Sequence, residues 1–256
     1  MADTIDLPDA GFCFIPAVFQ YSAGVAALPG FRIERVRFAD PVPLAEGWRR
    51  IAAHLDGLGR PRRAFCACEL RSPAPFTEAE FVAFNRGYAA VLKDWGVLRE
   101  GGRNPVARSN VCPELDPPAE PAFHAFCYTV PEAGARAGAA PSFVVAGSGE
   151  TREGQGNYRD HTVAPDDTSP AGMLAKARFV LGEMERRMAA LGAGWAGTTA
   201  VQAYTVFDIH PFLAGEVVRR GAARHGLTWH CCRPPVLGLD YEMDCRGLAV
   251  ERVLPS

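Results

Sequence analysis

A stretch rich in small residues and bounded by prolines divides the chain near its middle. This stretch, PEAGARAGAAP at residues 131–141, has the composition of a linker between folded units. Each flanking segment has about 120 residues, enough to bury a core of its own. The sequence therefore predicts two domains, residues 1–132 and 142–256, joined by a linker at residues 133–141.

The two segments share one order of predicted elements: strand, strand, helix, strand, helix, strand, strand. In the first segment, Thr77 and Glu80 form a capping box that begins a helix ending at Gly96. In the second, Ser169 and Pro170 are N-cap and first-turn signals for a helix with apolar residues every three or four positions. This order predicts an α/β (α+β) fold in which each domain has a mixed β-sheet with two helices packed on one face. The other predicted helices cover residues 43–58 and 211–225, and the predicted strands cover 12–20, 31–38, 63–70, 106–112, 122–130, 142–150, 198–207, 227–232 and 239–249.

Residues 12–31 are uncharged and long enough to span a bilayer. Pro16 and Pro29 interrupt this stretch, so it predicts two buried strands instead of a membrane helix. The N-terminal residues are acidic and lack the basic region of a signal peptide. We therefore expect a cytoplasmic protein that does not enter a membrane.

The charge and the cysteines exclude several other classes of protein. A net charge of −2 gives no basic field for binding nucleic acid. The eight cysteines include no CxxC pair, so neither a structural metal site nor a disulfide framework is predicted. We expect reduced, mostly buried thiols, no metal and no cofactor.

An arginine lies within a predicted strand in NPVARSNVCPE, residues 104–114, and a proline lies near each end. An arginine at this position could face solvent or pair with a carboxylate in the sheet. Alternatively, Arg108 could bind an anionic ligand, since a guanidinium group matches a carboxylate with two parallel hydrogen bonds.

Five stretches of the sequence resemble the Rid family, the reactive-intermediate deaminases also called YjgF or L-PSP. NPVARSNVCPEL resembles the family's PARS-x-V strand, and FTEAEFVAFNRGYAAV resembles its helix with an Asn-x-x-Tyr motif. VVAGSGE resembles its glycine turn, GLDYEMDCRG resembles its C-terminal strand with a glutamate, and residues 172–212 resemble its central helix-strand-helix region. The resemblance implies two tandem Rid/chorismate-mutase-like domains and a homo-oligomer, with a trimer favoured.

The resemblance also implies a site for a small carboxylated substrate. Arg108 and Ser109 match the family's carboxylate-binding strand, Gly147 matches its turn, and Glu242 matches the glutamate that orients water to hydrolyse an imine or enamine. Each half keeps only one of the two charged groups, so the site requires Arg108 and Glu242 to share one cleft. Glu242 could instead belong to a solvated polar face, because charged and apolar residues alternate around it.

Three further residues are candidates for binding the substrate. Trp229 and His230 lie near the second-half position that corresponds to the arginine, and Arg233 could replace the missing cation. The alternatives are a core aromatic for Trp229, a structural histidine for His230 and a loop arginine for Arg233.

The sequence thus predicts a deaminase that hydrolyses an imine or enamine of a carboxylated metabolite, for which an aminomuconate-type compound is one possibility. A hydrolase of a chorismate-like ring acid is the first alternative. A non-catalytic module that binds a metabolite or has a structural role is the second.

Overall fold

The described residues form two mixed β-sheets, one of seven strands and one of six. The computed structural model describes residues 4–132, 140–152, 154 and 157–255. The mixed sheets, together with the α-helices, confirm the predicted mixed α/β class. Residues 133–139 of the predicted linker lie outside the described residues, and the division into two domains stays a prediction. The strands are, in chain order, β1 (Ile5–Leu7), β2 (Phe12–Ile15), β3 (Gly24–Ala27), β4 (Phe31–Pro43), β5 (Phe65–Arg71), β6 (Ala107–Pro113), β7 (Ala122–Pro131), β8 (Phe143–Gly149), β9 (Ala200–Tyr204), β10 (Thr228–His230), β11 (Cys232–Arg233), β12 (Glu242–Gly247) and β13 (Glu251–Leu254).

The α-helices begin close to their predicted positions. Thr77 accepts a hydrogen bond from the Glu80 amide and completes the predicted capping box, and Ser169 accepts one from the Gly172 amide. The predicted helix at 211–225 is wrong in its length: it becomes π-helical at Leu213–Val218, and the positive φ of 88° at Gly221 is incompatible with a continuing helix. The α-helices are α1 (Leu44–Gly57), α2 (Glu78–Asp94), α3 (Pro170–Ala190) and α4 (His210–Phe212), and the 3₁₀ turns are Arg62–Ala64, Glu100–Gly102, Arg159–His161 and Trp195–Gly197.

One arrangement of six elements occurs twice in the chain. The units β4-α1-β5-α2-β6-β7 and β8-α3-β9-α4-β10-β12 place their strands in the same spatial order, β6-β5-β7-β4 and β10-β9-β12-β8. The directions also agree, since β5–β6 and β9–β10 are parallel and the remaining neighbours are antiparallel. The described topology therefore contains an internal structural repeat.

The two repeats exchange strands at the edges of their sheets. β3 from the first half pairs with β8, β13 from the second half pairs with β4, and β11 pairs with β6. Thus β1, β2 and β3 belong to the sheet of the second repeat, although the sequence predicts them with the first. The finer expectation of two tandem Rid-like domains is not confirmed.

The two sheets pack face to face, and the helices cover their outer surfaces. Helix α3 packs on the seven-stranded sheet through Leu181 and Met184, and α1 and α2 pack on the six-stranded sheet through Ile51 and Leu92. A third apolar cluster between the sheets includes Phe12 and Phe14 from one and Cys66, Ala107 and Cys127 from the other. The fold is therefore a four-layer helix–sheet–sheet–helix arrangement.

The uncharged N-terminal stretch forms β2 and β3, as two strands were predicted there. Among the described residues, no helix combines the length and the apolar character needed to cross a membrane. Six of the eight cysteines are buried, and Cys231 is exposed. The cytoplasmic location and the homo-oligomer stay predictions.

We expect Gly47→Ala to destabilise the fold by about 1–3 kcal/mol, because a methyl group at this position of α1 would overlap the Phe123 ring. The ring cannot move away easily, since it is fully buried and packs edge-on against Trp48 at 4.7 Å. Gly57→Ala in the same helix is the matched control: its methyl group would have open space, so stability should stay constant or rise by up to about 1 kcal/mol. Urea unfolding of the three proteins measures both effects, and equal losses for the two variants would contradict the packing argument.

Candidate active site

A partly open cleft lies at the seam where β6 of the six-stranded sheet runs beside the seven-stranded sheet. The amide of Ser22, just before β3, donates to the Val106 carbonyl at 2.9 Å, and the Ser22 hydroxyl donates to the Pro105 carbonyl at 3.1 Å. These bonds fix the start of β6 against the other sheet. The seam brings residues of both repeats to one cleft, including Arg108 from the first and Glu242 from the second.

Arg108 is a buried cation without an anionic partner among the residues that the structure describes. Only 3% of the Arg108 surface is exposed to solvent. The Nη2 atom of Arg108 donates a hydrogen bond to Asn85 Oδ1 at 2.5 Å. Asn85 Nδ2 donates to the Phe81 carbonyl at 2.6 Å, which fixes the amide with its oxygen toward the guanidinium group. The other terminal nitrogen, Nη1, has no hydrogen-bond partner among the described residues. Because buried N–H groups are nearly always paired, this nitrogen is available to donate to a group that enters the cleft.

Aromatic rings surround the Arg108 guanidinium group. The Tyr88 ring centre lies 4.6 Å away, and the rings of Tyr21, Phe81 and Phe84 lie at 5.7, 5.9 and 5.7 Å. Cation–π contacts of this kind stabilise a guanidinium group but leave its charge uncompensated. In the part of the chain that the structure describes, no carboxylate lies within ion-pair distance of Arg108, so the cleft favours an anion.

Asn110 provides a second hydrogen-bond donor in the same cleft. It follows Arg108 by two residues and therefore lies on the same face of β6. Its Oδ1 accepts a bond from the Ser72 hydroxyl at 3.0 Å, while its Nδ2 is buried and lacks a partner within the described ranges. Arg108 and Asn110 together can bind one carboxylate group through two donors.

Glu242 is a carboxyl group that resists ionisation. It is 4% exposed, and burial raises its pKa well above the ordinary value, with further contributions from the nearby carboxylates of Asp244 and Glu150. Arg187 and Arg108 oppose this shift but do not reverse it. A buried carboxyl group with a raised pKa keeps its proton to a higher pH and can donate it.

A bulge in β8 makes room for the Glu242 carboxyl group. Ser148 pairs with Met243 and Val145 with Cys245, so β8 has one residue more than β12 between these pairs. A methyl group on Gly147 in this bulge would overlap Glu242 Oε1, which explains the requirement for glycine. The fully buried Arg187 of α3 supports the bulge, because it donates to the Ala146 carbonyl at 3.0 Å and to the Ser148 hydroxyl at 3.1 Å.

Ser109 connects the two sheets and does not line this cleft. Its hydroxyl donates to Asp244 Oδ2 at 2.5 Å, and the same carboxyl group accepts bonds from Tyr204 at 2.9 Å and Gln202 at 2.8 Å. Burial and the charge of Glu69 raise the pKa of Asp244. The predicted role of Ser109 in substrate binding stays a prediction.

The structure places three predicted site residues away from the cleft. Trp229 is 40% exposed, and its Nε1 donates to the Thr205 carbonyl at 3.0 Å. His230 stacks on Tyr204 with ring centres 5.0 Å apart, and burial together with Arg71 lowers its pKa to about 4. Arg233 forms an exposed ion pair with Glu114 at 2.9 Å. Their roles in binding stay predictions, although each side chain already has a structural partner.

Sequence reasoning missed Asn85 and Asn110 as polar groups of the site. Asn85 occupies a position in the apolar stripe of α2, between Phe81 and Tyr88. A polar amide in such a stripe indicates that it has a hydrogen-bonding partner in the interior. Asn110 shares the face of Arg108 by the two-residue period of a strand. The apolar residues Val236 and Leu239, which also line the cleft, follow no signal that the sequence alone provides.

A family model described as "2-aminomuconate deaminase CnbZ" matches residues 4–252. The 2-amino-5-chloromuconate deaminase of Comamonas testosteroni is 50% identical over 254 residues, which cover 99% of this chain and 100% of that protein. Among solved structures, a cyanuric acid hydrolase described as an innovation by structural concatenation has a TM-score of 0.43 and 10% identity, over 84% of this chain and 67% of that one. The cyanuric acid hydrolase from A. caulinodans has a TM-score of 0.36 and 14% identity, over 86% and 67% of the two chains.

The predicted membership of the Rid, YjgF or L-PSP family is wrong. A different family model covers nearly the whole chain, as does the relative at 50% identity. The motifs that carried the Rid assignment are short, and the two that include Arg108 and Glu242 lie in different repeats. Short motifs on a shared order of strands and helices do not define a family.

We expect Glu242→Gln to stabilise the protein increasingly as the pH rises. A carboxyl group with a raised pKa in the folded state contributes stability that is present below its unfolded pKa, near 4.3, and lost as the pH rises toward its folded pKa. Since glutamine cannot ionise, the variant should gain up to about 1.4 kcal/mol per pH unit over the wild type in this window. Urea unfolding between pH 4 and 8 measures the difference.

Glu34→Gln is the control of opposite sign. Bonds from Arg32 and Arg252 lower the pKa of Glu34 against the opposing effect of its burial, so this variant should lose stability relative to the wild type as the pH rises through 4. A Glu242→Gln difference that does not change with pH would show that Glu242 ionises normally in the folded protein.

Proposed function

The chain belongs to the 2-aminomuconate deaminase CnbZ family, and we propose that it hydrolyses an enamine of a muconate-type dicarboxylate and releases ammonia. The relative from Comamonas testosteroni is a deaminase of 2-amino-5-chloromuconate, which supports this substrate class. The cleft between the repeats is the proposed site, and no step of the reaction requires a group from outside the chain other than water.

The buried cation Arg108 is the observation that carries the proposal. Burial of an ion without a partner is strongly unfavourable, and within the described residues only aromatic rings and the neutral amide of Asn85 contact its guanidinium group. A substrate carboxylate next to Nη1 would neutralise this charge, and Asn110 Nδ2 would donate a second bond. A carboxylate next to the reacting carbon would thus fix the substrate relative to Glu242, which lines the same cleft.

Glu242 is the proposed acid. An enamine is nucleophilic at carbon, and a neutral carboxylic acid can protonate that carbon to give an iminium ion. Proton transfer leaves Glu242 as a carboxylate, and the positive charge that forms on the substrate stabilises this anion in the buried cleft. The raised pKa of Glu242 supports this role, because an ionised glutamate could not begin the reaction.

Water then completes the deamination. The Glu242 carboxylate accepts a proton from a water molecule whose oxygen bonds to the iminium carbon, which restores the neutral acid and gives a carbinolamine. The hydroxyl proton of the carbinolamine passes to its nitrogen, the carbon–nitrogen bond breaks, and ammonia leaves as the carbonyl forms. One water is consumed, and one ammonia and one 2-oxo acid are produced.

We expect Arg108→Lys to raise KM by about 10- to 100-fold, because an ammonium group cannot form the two parallel bonds of a guanidinium group and lysine is shorter. Arg233→Lys is the matched control. Arg233 is an exposed arginine paired with Glu114, so this substitution should leave KM unchanged. The measurement is ammonia release from 2-aminomuconate, followed together with the loss of its ultraviolet absorbance. Equal KM values for Arg108→Lys and the wild type would remove Arg108 from the site. Turnover of ring acids without ammonia would favour the predicted chorismate-type alternative.

We expect kcat to fall as the pH rises through the pKa of Glu242. Activity requires the protonated acid, so it is present below this raised pKa and lost above it. Glu242→Gln should lower kcat by about 100-fold or more, as removal of a general acid does, and should abolish this basic limb. A basic limb that persists in Glu242→Gln would assign the titration to another group.

A further inference from the structure

A short segment of the second repeat forms an apolar wall of the cleft. This segment, named here the strap, comprises residues 235–239. Val236 and Leu239 of the strap are buried and form an apolar cluster with Phe81 of α2, and all three line the cleft. The cluster is separate from the large cores between the helices and the sheets.

Backbone hydrogen bonds attach the strap to the first repeat. The Phe76 amide donates to the Pro235 carbonyl at 2.8 Å, and the Leu237 amide donates to the Phe76 carbonyl at 2.9 Å. The strap then turns at Gly238, whose φ is 88°, and returns Leu239 toward the cleft. This attachment fixes the positions of the wall residues relative to Arg108 and Glu242.

Leu239 lies close to the glycine turn at the end of β8. A methyl group on Gly149 would come within 3.2 Å of Leu239 Cδ1, so the leucine side chain covers this turn on the side of the cleft. Leu237, two residues earlier, instead has 58% of its surface exposed. The strap therefore directs one leucine to the cleft and one to solvent.

The strap offers the cleft an apolar surface beside its polar donors. Arg108 and Asn110, which carry the unpartnered nitrogen atoms, both lie on β6, whereas the side chains of Val236, Leu239 and Phe81 are hydrocarbon. A substrate with its carboxylate on β6 and its enamine beside Glu242 would place part of its carbon chain against the wall. A chlorine substituent is similar to a methyl group in size and is apolar, so this wall suits a substituted diene.

We propose that the wall, with Leu239 as its central residue, receives the diene chain of the substrate and determines which substituent that chain can carry. The inference rests on the proposed function and assigns its specificity for small apolar substituents, such as a halogen or a methyl group, to named residues of the wall. A mismatch of one methyl-sized group in an apolar pocket changes kcat/KM by about 10- to 200-fold.

The test compares kcat/KM for 2-aminomuconate, 2-amino-5-chloromuconate and the bulkier 5-bromo compound. Leu239→Phe fills the space, and we expect it to lower the chloro-to-unsubstituted ratio by about 10-fold or more. Leu239→Ala enlarges the space and should raise the bromo-to-chloro ratio several-fold. Leu237→Ala is the matched control, because its side chain faces solvent and both ratios should stay as in the wild type.

The outcomes separate the two proposals. If the wild type releases no ammonia from any of the compounds, the proposed function fails and the inference fails with it. If the wild type is active and both Leu239 variants keep the wild-type ratios within about twofold, the wall does not determine the substituent, although the deaminase proposal stands. Circular dichroism checks folding, and Leu239→Ala provides the decisive ratio if Leu239→Phe does not fold.

Discussion

The contact between β6 and the seven-stranded sheet is the constraint on which the site depends. It is held by Ser22 at one end and by the Ser109–Asp244 hydrogen bond farther along. Asp244 carries a raised pKa because it is buried, and three donors satisfy its oxygens. Hydrogen bonds between two sheets specify their relative register more strictly than apolar packing does. This register places a cation of one repeat and an acid of the other at the same cleft.

Burial in the cleft has opposite consequences for the charges of its two ionisable groups, Arg108 and Glu242. Among the described residues, surrounding aromatic rings and one amide are what contact the buried charge of Arg108. Burial raises the pKa of Glu242 and so favours its neutral form. The result is a site whose buried cation attracts a carboxylate and whose buried acid retains a proton for transfer. The same low-polarity surroundings produce both effects.

Local sequence patterns predicted most of the helices and strands, but they did not predict which strands pair over long distances in the chain. The capping box at Thr77 and the N-cap at Ser169 are decided within one helical turn, so they could be read from neighbouring residues. The sequence also singled out Arg108 and Glu242, which do line one cleft. The exchange of β3, β11 and β13 between the sheets is set by pairings far apart in the chain, for which no local signal exists. Trp229 and Arg233 were predicted as substrate-binding residues from their positions in the second half of the chain. Their distance from the cleft depends on how the strands pair in three dimensions, which the sequence does not show.

The internal repeat explains why one cleft combines both groups. Cys68 of β5 and Ala203 of β9 hold equivalent positions, each facing the helices of its own sheet. The residue opposite Cys68 is Arg108, and the residue opposite Ala203 is Trp229, so the second repeat has no arginine there. One position further along, Tyr204 pairs with Glu242, whereas Glu69 pairs with Ala125, so the first repeat has no acid there.

Each repeat therefore keeps the group that the other lacks. A seam related to this one by the repeat would bring together a tryptophan and an alanine, which can neither bind a carboxylate nor donate a proton. The chemistry of the chain thus requires the two repeats to face each other in one arrangement. Strand exchange at both sheet edges, through β3 and β13, links the repeats in that arrangement.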